Sequence, residues 1–160
     1  MGSTIGKAFD YLVTGLVPGA QQVDPNAEVA DDTPLTAASS LIVIGRDGPD
    51  STDSGAPALT YNTLGQGRVE ESYVIPGHVY AARPGPGVKD ARDAAVALAD
   101  VVIALVQSDQ TLGGLLNRYA LLTTMTLSQS GDPGDTGAEA WCSISFGIEV
   151  LNTYTLKEPT

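Results

Sequence analysis

Residues 140–150 read Ala-Trp-Cys-Ser-Ile-Ser-Phe-Gly-Ile-Glu-Val, and every second side chain is apolar. The apolar positions are Ala140, Cys142, Ile144, Phe146, Ile148 and Val150. Because neighbouring side chains of a strand point to opposite faces, this alternation predicts a strand with one face on a core. Trp141 falls on the other face, where an aromatic ring is covered either by its own chain or by a partner. Both explanations stay open here, and Trp141 is a candidate subunit-interface residue.

A second strand is predicted just before the first. Tyr119, Leu121, Thr123, Met125 and Leu127 occupy alternate positions and are expected on one face. The segment 130–135, Ser-Gly-Asp-Pro-Gly-Asp, has the composition of a turn. Consecutive strands joined by a loop pair antiparallel by default, so a long C-terminal β-hairpin is expected.

Two segments have the apolar spacing of amphipathic helices. The first covers residues 5–16 behind Ser3 or Thr4, either of which can cap it, and is expected to end at Pro18-Gly19. The second runs from about Val88 to Gln107, with many alanines that allow close packing on a sheet. Both helices are therefore expected to cover a sheet.

Two further strands complete the predicted fold. Residues 41–44, Leu-Ile-Val-Ile, read as a buried strand, and residues 69–83 as a longer one with a bend or bulge at Pro76-Gly77. The predicted fold class is α+β: a mainly antiparallel sheet with a long C-terminal β-hairpin, packed against two amphipathic helices. The chain has 160 residues, the size of one domain, so residues 1–160 are assigned to a single domain.

The stretch from Arg46 to Arg68 is rich in Gly, Asp, Ser and Pro and is predicted to be a long loop. Leu59, Tyr61 and Leu64 form a small apolar cluster inside it. Such a cluster in a polar loop is a candidate docking element for a neighbouring subunit. We expect the loop to be mobile in the monomer and ordered on assembly.

The charge balance excludes several classes of partner. The chain has 19 acidic and 8 basic side chains and a net charge of −11. Such a surface repels nucleic-acid phosphates and anionic lipid, so binding through a basic patch is not expected. No apolar run approaches the roughly 18 residues that a membrane span needs, and no membrane partner is predicted.

The sequence contains no recognisable catalytic or metal-binding constellation. His78 is the only histidine and is interpreted as a packed or edge residue, and Cys142, the only cysteine, is interpreted as a packed thiol. Asp47, Asp50 and Asp53 lack the spacing of a calcium-binding loop, and the glycine-rich segments 65–67 and 85–87 lack that of a phosphate loop. We therefore predict no cofactor, no metal and no enzymatic activity.

Several segments, taken in order, resemble the tail terminator, or tail-completion, proteins of long-tailed bacteriophages. The resemblance covers most of the chain outside Arg46 to Arg68 and is one of pattern and element order. Its segments are the helix from Ile5 to Leu16, the strand rising to Arg83, the run from Val88 to Leu98 continuing to Asp109-Gln110-Thr111-Leu112-Gly113-Gly114, and the hairpin closing with Phe146 to Tyr154.

The resemblance implies a structural protein of the virion. In that family, each subunit is expected to have an antiparallel sheet flanked by helices, and six copies form a ring on the head-proximal end of the tail tube. There the ring ends tube polymerisation and joins the tail to the neck. The implied partners are other copies of the chain, the tail tube protein and a head-closure or connector protein, with DNA passing through the lumen without specific binding. The implied location is the virion, and the host cytoplasm during assembly.

Other functions remain open from the residues alone. Another neck component, such as a head-closure or connector-docking protein, is the nearest alternative. A monomeric binding module and an enzyme that uses acidic side chains are the others. A ring subunit needs no catalytic group, uses long hairpins for contacts between copies and benefits from an acidic lumen, so the residues favour the structural role.

Overall fold

The computed structural model describes residues 3–32, 38–46, 59–84, 88–130 and 140–155. The elements are α1 (Ile5–Val23), β1 (Glu28–Asp31), β2 (Ser40–Ile44), β3 (Thr60–Gly65), β4 (Arg68–Arg83), α2 (Lys89–Ser108), β5 (Tyr119–Ser130) and β6 (Ala140–Thr155). Within these ranges neither helix combines the length and apolar character needed to cross a membrane.

The six strands form one sheet in which β4 and β6 are central. The order is β1-β2-β4-β6-β5, with β3 also paired to β4. Since β6 pairs with the whole of β4, β2 and β3 share the other edge of β4, opposite residues 77–81 and 68–72 respectively. All pairings are antiparallel except β1 with β2. β5 and β6 are the predicted C-terminal hairpin.

Both helices cover the same face of the sheet, which we call the helix face. Alternate residues of β4 and β6 build the core there, including Tyr73, Ile75, Val79, Ile144, Phe146 and Ile148. Small buried residues of the helices, Ala8 and Ala20 in α1 and Ala91 and Ala95 in α2, permit close packing. The predicted α+β fold class is thereby confirmed. The opposite side of the sheet is called the second face.

The predicted end of the first helix is wrong, because α1 continues past Pro18 and Gly19 to Val23. Pro18 removes one backbone donor, but Leu16 and Ala20 on either side of it are fully buried. Gly19 has a packing role, since a Cβ built on it would lie 2.6 Å from Cγ1 of Val101 in α2. Burial and close helix contact therefore override the local stop signal.

The bulge predicted as one possibility at Pro76-Gly77 is absent between β4 and β6. Pairing of β4 with β6 continues without a shift through Pro76 opposite Gly147 and Gly77 opposite Phe146. A Cβ on Gly77 would lie 2.5 Å from the Phe146 ring. The glycine thus makes room for an aromatic ring.

A bulge occurs instead in β5, at Thr123. The register with β6 shifts between Leu122 and Thr124. Leu121 pairs with Glu149 on the second face, whereas Met125 pairs with Phe146 on the helix face. The predicted alternation, with all five odd positions on one face, fails because the bulge adds one residue to the strand.

The predicted loop from Arg46 to Arg68 is wrong in its second part. Thr60 to Gly65 form β3, which turns at Gln66-Gly67 into β4. Gln66 and Gly67 have φ values of 53° and 72°, as tight hairpin turns require. The segment from residue 47 to 58 lies outside the described residues, so the prediction that it is mobile stays a prediction.

Candidate subunit interface

β5 is an edge strand whose composition favours pairing with a further strand. It bonds to β6 on one side, and in the described part of the chain no strand pairs with its other side. Its twelve residues, Tyr-Ala-Leu-Leu-Thr-Thr-Met-Thr-Leu-Ser-Gln-Ser, include no charge and no proline. Natural edge strands usually carry such groups to prevent edge-to-edge association. Among the residues that the structure describes, the bulge at Thr123 is a feature of this edge that opposes such association.

Exposed apolar side chains accompany this edge. Leu121 is 38% exposed on the second face, and Met125 and Leu127 are 37% and 44% exposed on the helix face. Ala120 and Leu122, before the bulge, are packed with the core. The outer half of β5 therefore presents apolar groups that its own chain covers only in part. The uncharged run from residue 119 to 130 was visible in the sequence, but no site was assigned to it.

β3 carries two of the interface residues predicted from the sequence. Tyr61 is 50% and Leu64 is 43% exposed. Leu59, which precedes the strand, packs instead against the core of its own chain. The structure thus separates the predicted cluster into one residue packed against the core and two exposed residues. β3 itself, Thr-Tyr-Asn-Thr-Leu-Gly, has no charged side chain.

Trp141 lies on the second face, as the alternation predicts. It is half-buried and stacks on Tyr80 of the same chain, with the ring centroids 6.4 Å apart and the planes 24° from parallel. Its own chain covers part of the ring, and Trp141 lies apart from Tyr61 and Leu64, since it pairs with Ala82 near the other end of β4.

The two residues with reactive side chains are both buried. His78 is 3% exposed, and its Nδ1 lies 2.9 Å from the Arg46 carbonyl oxygen. Burial raises the pKa of the Cys142 thiol, which disfavours the reactive thiolate. Among the described residues, no group of three or more His, Cys, Asp and Glu side chains is placed to hold a metal ion.

Glu71 is a buried acid that the sequence did not single out. Its side chain is fully buried on the helix face. Oε1 accepts hydrogen bonds from the Thr4 backbone nitrogen at 2.9 Å and the Thr4 hydroxyl at 2.5 Å. The Tyr73 hydroxyl lies 2.9 Å from that same Thr4 hydroxyl, and burial, with the neighbouring Glu71 charge, raises the pKa of Tyr73 to about 12. This network attaches the start of α1 to β4.

Acidic groups concentrate at the other edge of the sheet. β1 contains Glu28 and Asp31 within four residues. Burial, together with the charges of Asp32 and Asp10, raises the pKa of Asp31. Another chain of the same net charge would meet repulsion there, whereas β3 and β5 offer uncharged edges.

Comparison with known proteins adds no identification. No protein-family model matches the sequence, and no curated protein matches it. The functional argument therefore depends on the geometry of this chain and on the pattern resemblance described above.

Proposed function

We propose that this chain is a non-enzymatic structural protein of a phage virion, a tail terminator. In this proposal it forms a homohexameric ring that caps the head-proximal end of the tail tube, ends tube polymerisation and joins the tail to the neck. The observation that carries the proposal is the outer edge of β5, an uncharged strand with exposed Met125 and Leu127 in a chain of net charge −11.

Two features support assembly over a monomeric binding role. A ring needs two different complementary surfaces on each copy, and the sheet has uncharged edges at both β3 and β5. The high negative charge also suits a lumen through which DNA passes, because acids do not hold a phosphate backbone. The fold class agrees with the one that the resemblance implies.

The decisive experiment removes the protein from phage assembly and examines the particles. If the chain ends tube growth, particles made without it carry tubes of uncontrolled length that fail to join heads, and complementation restores both. The protein is then found by mass spectrometry in purified complete particles. Normal-length tails beside unjoined heads would assign the chain to head closure instead. Normal particles without the protein would refute a structural role.

A further inference from the structure

We propose that the outer edge of β5 pairs antiparallel with the outer edge of β3 in a second copy of this chain, so that the sheet continues from copy to copy. The inference rests on the proposed function, because it describes how the ring closes. It identifies the partner surface, which the proposed function leaves open.

The strand directions permit this pairing. β3 and β5 lie at opposite ends of the strand set β3-β4-β6-β5. Each neighbour in that set is antiparallel to the next, so β3 and β5 run in opposite directions. When two copies lie side by side in the same orientation, β5 of one and β3 of the next are therefore antiparallel. Repetition of one such contact between unlike edges gives a ring when the rotation between copies closes, and an open filament when it does not.

Charge favours β3 over β1 as the partner edge. β1 would bring Glu28 and Asp31 against the neighbouring copy, in a chain that already repels itself. β3 adds no charge to the contact. Pairing of β5 with another β5 is also uncharged, but it stops at a dimer and leaves Tyr61 and Leu64 exposed.

The side chains match on both faces. Tyr61 pairs with Glu71 and therefore lies on the helix face, which is also the face of Met125 and Leu127. Asn62 pairs with Glu70 on the second face, which it shares with Thr124, Thr126 and Ser128. Tyr61 lies level with Asn152 of β6 and Met125 lies level with Phe146, so the two side chains meet when neighbouring copies are offset by six residues along the strands. With that offset, the continued sheet places the exposed aromatic ring beside the exposed thioether and leucine, and the amide beside hydroxyls. Contacts between sulfur and an aromatic ring are favourable.

Disulfide trapping tests the pairing directly. In a Cys142→Ser background, Asn62→Cys is combined with Thr124→Cys, Thr126→Cys or Ser128→Cys, which scans the register on one face. The protein is oxidised in high salt, where repulsion between copies is screened. We expect at least one pair to give a ladder of covalent oligomers, because facing cysteines across antiparallel strands come within disulfide reach. A mixture of the two single variants should stop at a cross-linked dimer.

The matched control combines Asn62→Cys with Met125→Cys, whose side chains lie on opposite faces, and it should give no ladder. A dimer formed by Thr126→Cys alone, without ladders from any double variant, would replace this pairing by β5 with β5. A protein that stays monomeric at every salt concentration and gives no ladder would also overturn it. Ladders from a protein that never enters particles would retain the pairing and reject the tail role. Protein that enters particles but gives no ladders would retain the tail role and reject the pairing.

Discussion

Gly77 is restricted to glycine by one aromatic ring and one carbonyl. A Cβ at this position would lie 2.5 Å from Cζ of Phe146 and 2.9 Å from the Val43 carbonyl oxygen. Phe146 is 3% exposed in the core, so its ring has little room to retreat. The position therefore leaves no space for a side chain.

Gly77→Ala should lower the free energy of unfolding by about 1 to 3 kcal/mol, the usual cost of overpacking a core. Urea denaturation measures it. Gly6→Ala is the control, because a Cβ there meets no atom within 4 Å and the residue lies in α1. It should raise stability by about 0.5 to 1 kcal/mol through helix propensity. Equal effects at the two sites would show that Phe146 moves aside freely.

At the scale of elements, the two helices are in close contact at Gly19. A Cβ there would lie 2.6 Å from Val101 Cγ1. Gly19→Ala gains helix propensity but forces the β-branched side chain to move, so a net loss of about 1 kcal/mol is expected. Val101→Ala removes the obstructing methyl groups. The double variant should be more stable, by at least about 0.5 kcal/mol in the free energy of unfolding, than the sum of the two single changes predicts. Additive changes would contradict the contact.

Asp24 connects the end of α1 to two strands. Its carboxylate accepts hydrogen bonds from Asn26 N at 3.0 Å and Ser40 Oγ at 2.7 Å, and Arg83 Nη2 lies 3.6 Å away. The Asn26 backbone bond first, then Ser40 and the Arg83 charge, lower the pKa of Asp24 below 3.8. A lowered pKa means that the folded state binds the proton less readily than the unfolded chain. The stabilisation is therefore present above about pH 4 and is lost as the pH falls through the folded value.

Asp24→Asn should lower stability at neutral pH and flatten its loss on acidification, as measured by urea denaturation across that range. Asp93→Asn is the control. Its pKa is also lowered, by Lys89, but both side chains are largely exposed and water screens the pair. An equal flattening in the two variants would show that Asp24 holds no special position.

How well the elements were predicted depended on whether a local pattern agreed with packing. The alternation of residues 140–150 and the alanine-rich periodicity of α2 gave elements that the structure confirms. The end of α1 was misjudged because Val101 lies 82 residues from Gly19 and no local rule includes it. β3 was missed because its polar residues resemble the loop before it. Of the predicted interface residues, Tyr61 and Leu64 are exposed and Leu59 is partly buried against the core, a distinction that depends on the turn at Gln66-Gly67.

For the whole molecule, a net charge of −11 opposes association and the uncharged edges favour it. The Debye length falls from about 10 Å at 0.1 M salt to about 3 Å at 1 M, so assembly should increase with salt.

Thr126→Lys places a charge in the middle of the β5 edge and should prevent assembly while changing stability by no more than about 0.5 kcal/mol. Light scattering measures the molar mass. Val96→Lys, at an exposed apolar site on α2, should assemble like the parent chain. Equal loss of assembly in both variants would show that an added charge has the same effect at any exposed position.

The stack of Trp141 on Tyr80 gives the molecule an optical property of its own. The chain contains one tryptophan, so all indole fluorescence originates from one place on the second face. Because the ring is only half-buried, its emission spectrum responds to water at that face. The tyrosines of the helix face absorb light but report on a different side of the sheet. The wavelength and intensity of the indole emission therefore report, without any label, whether another molecule binds to the second face.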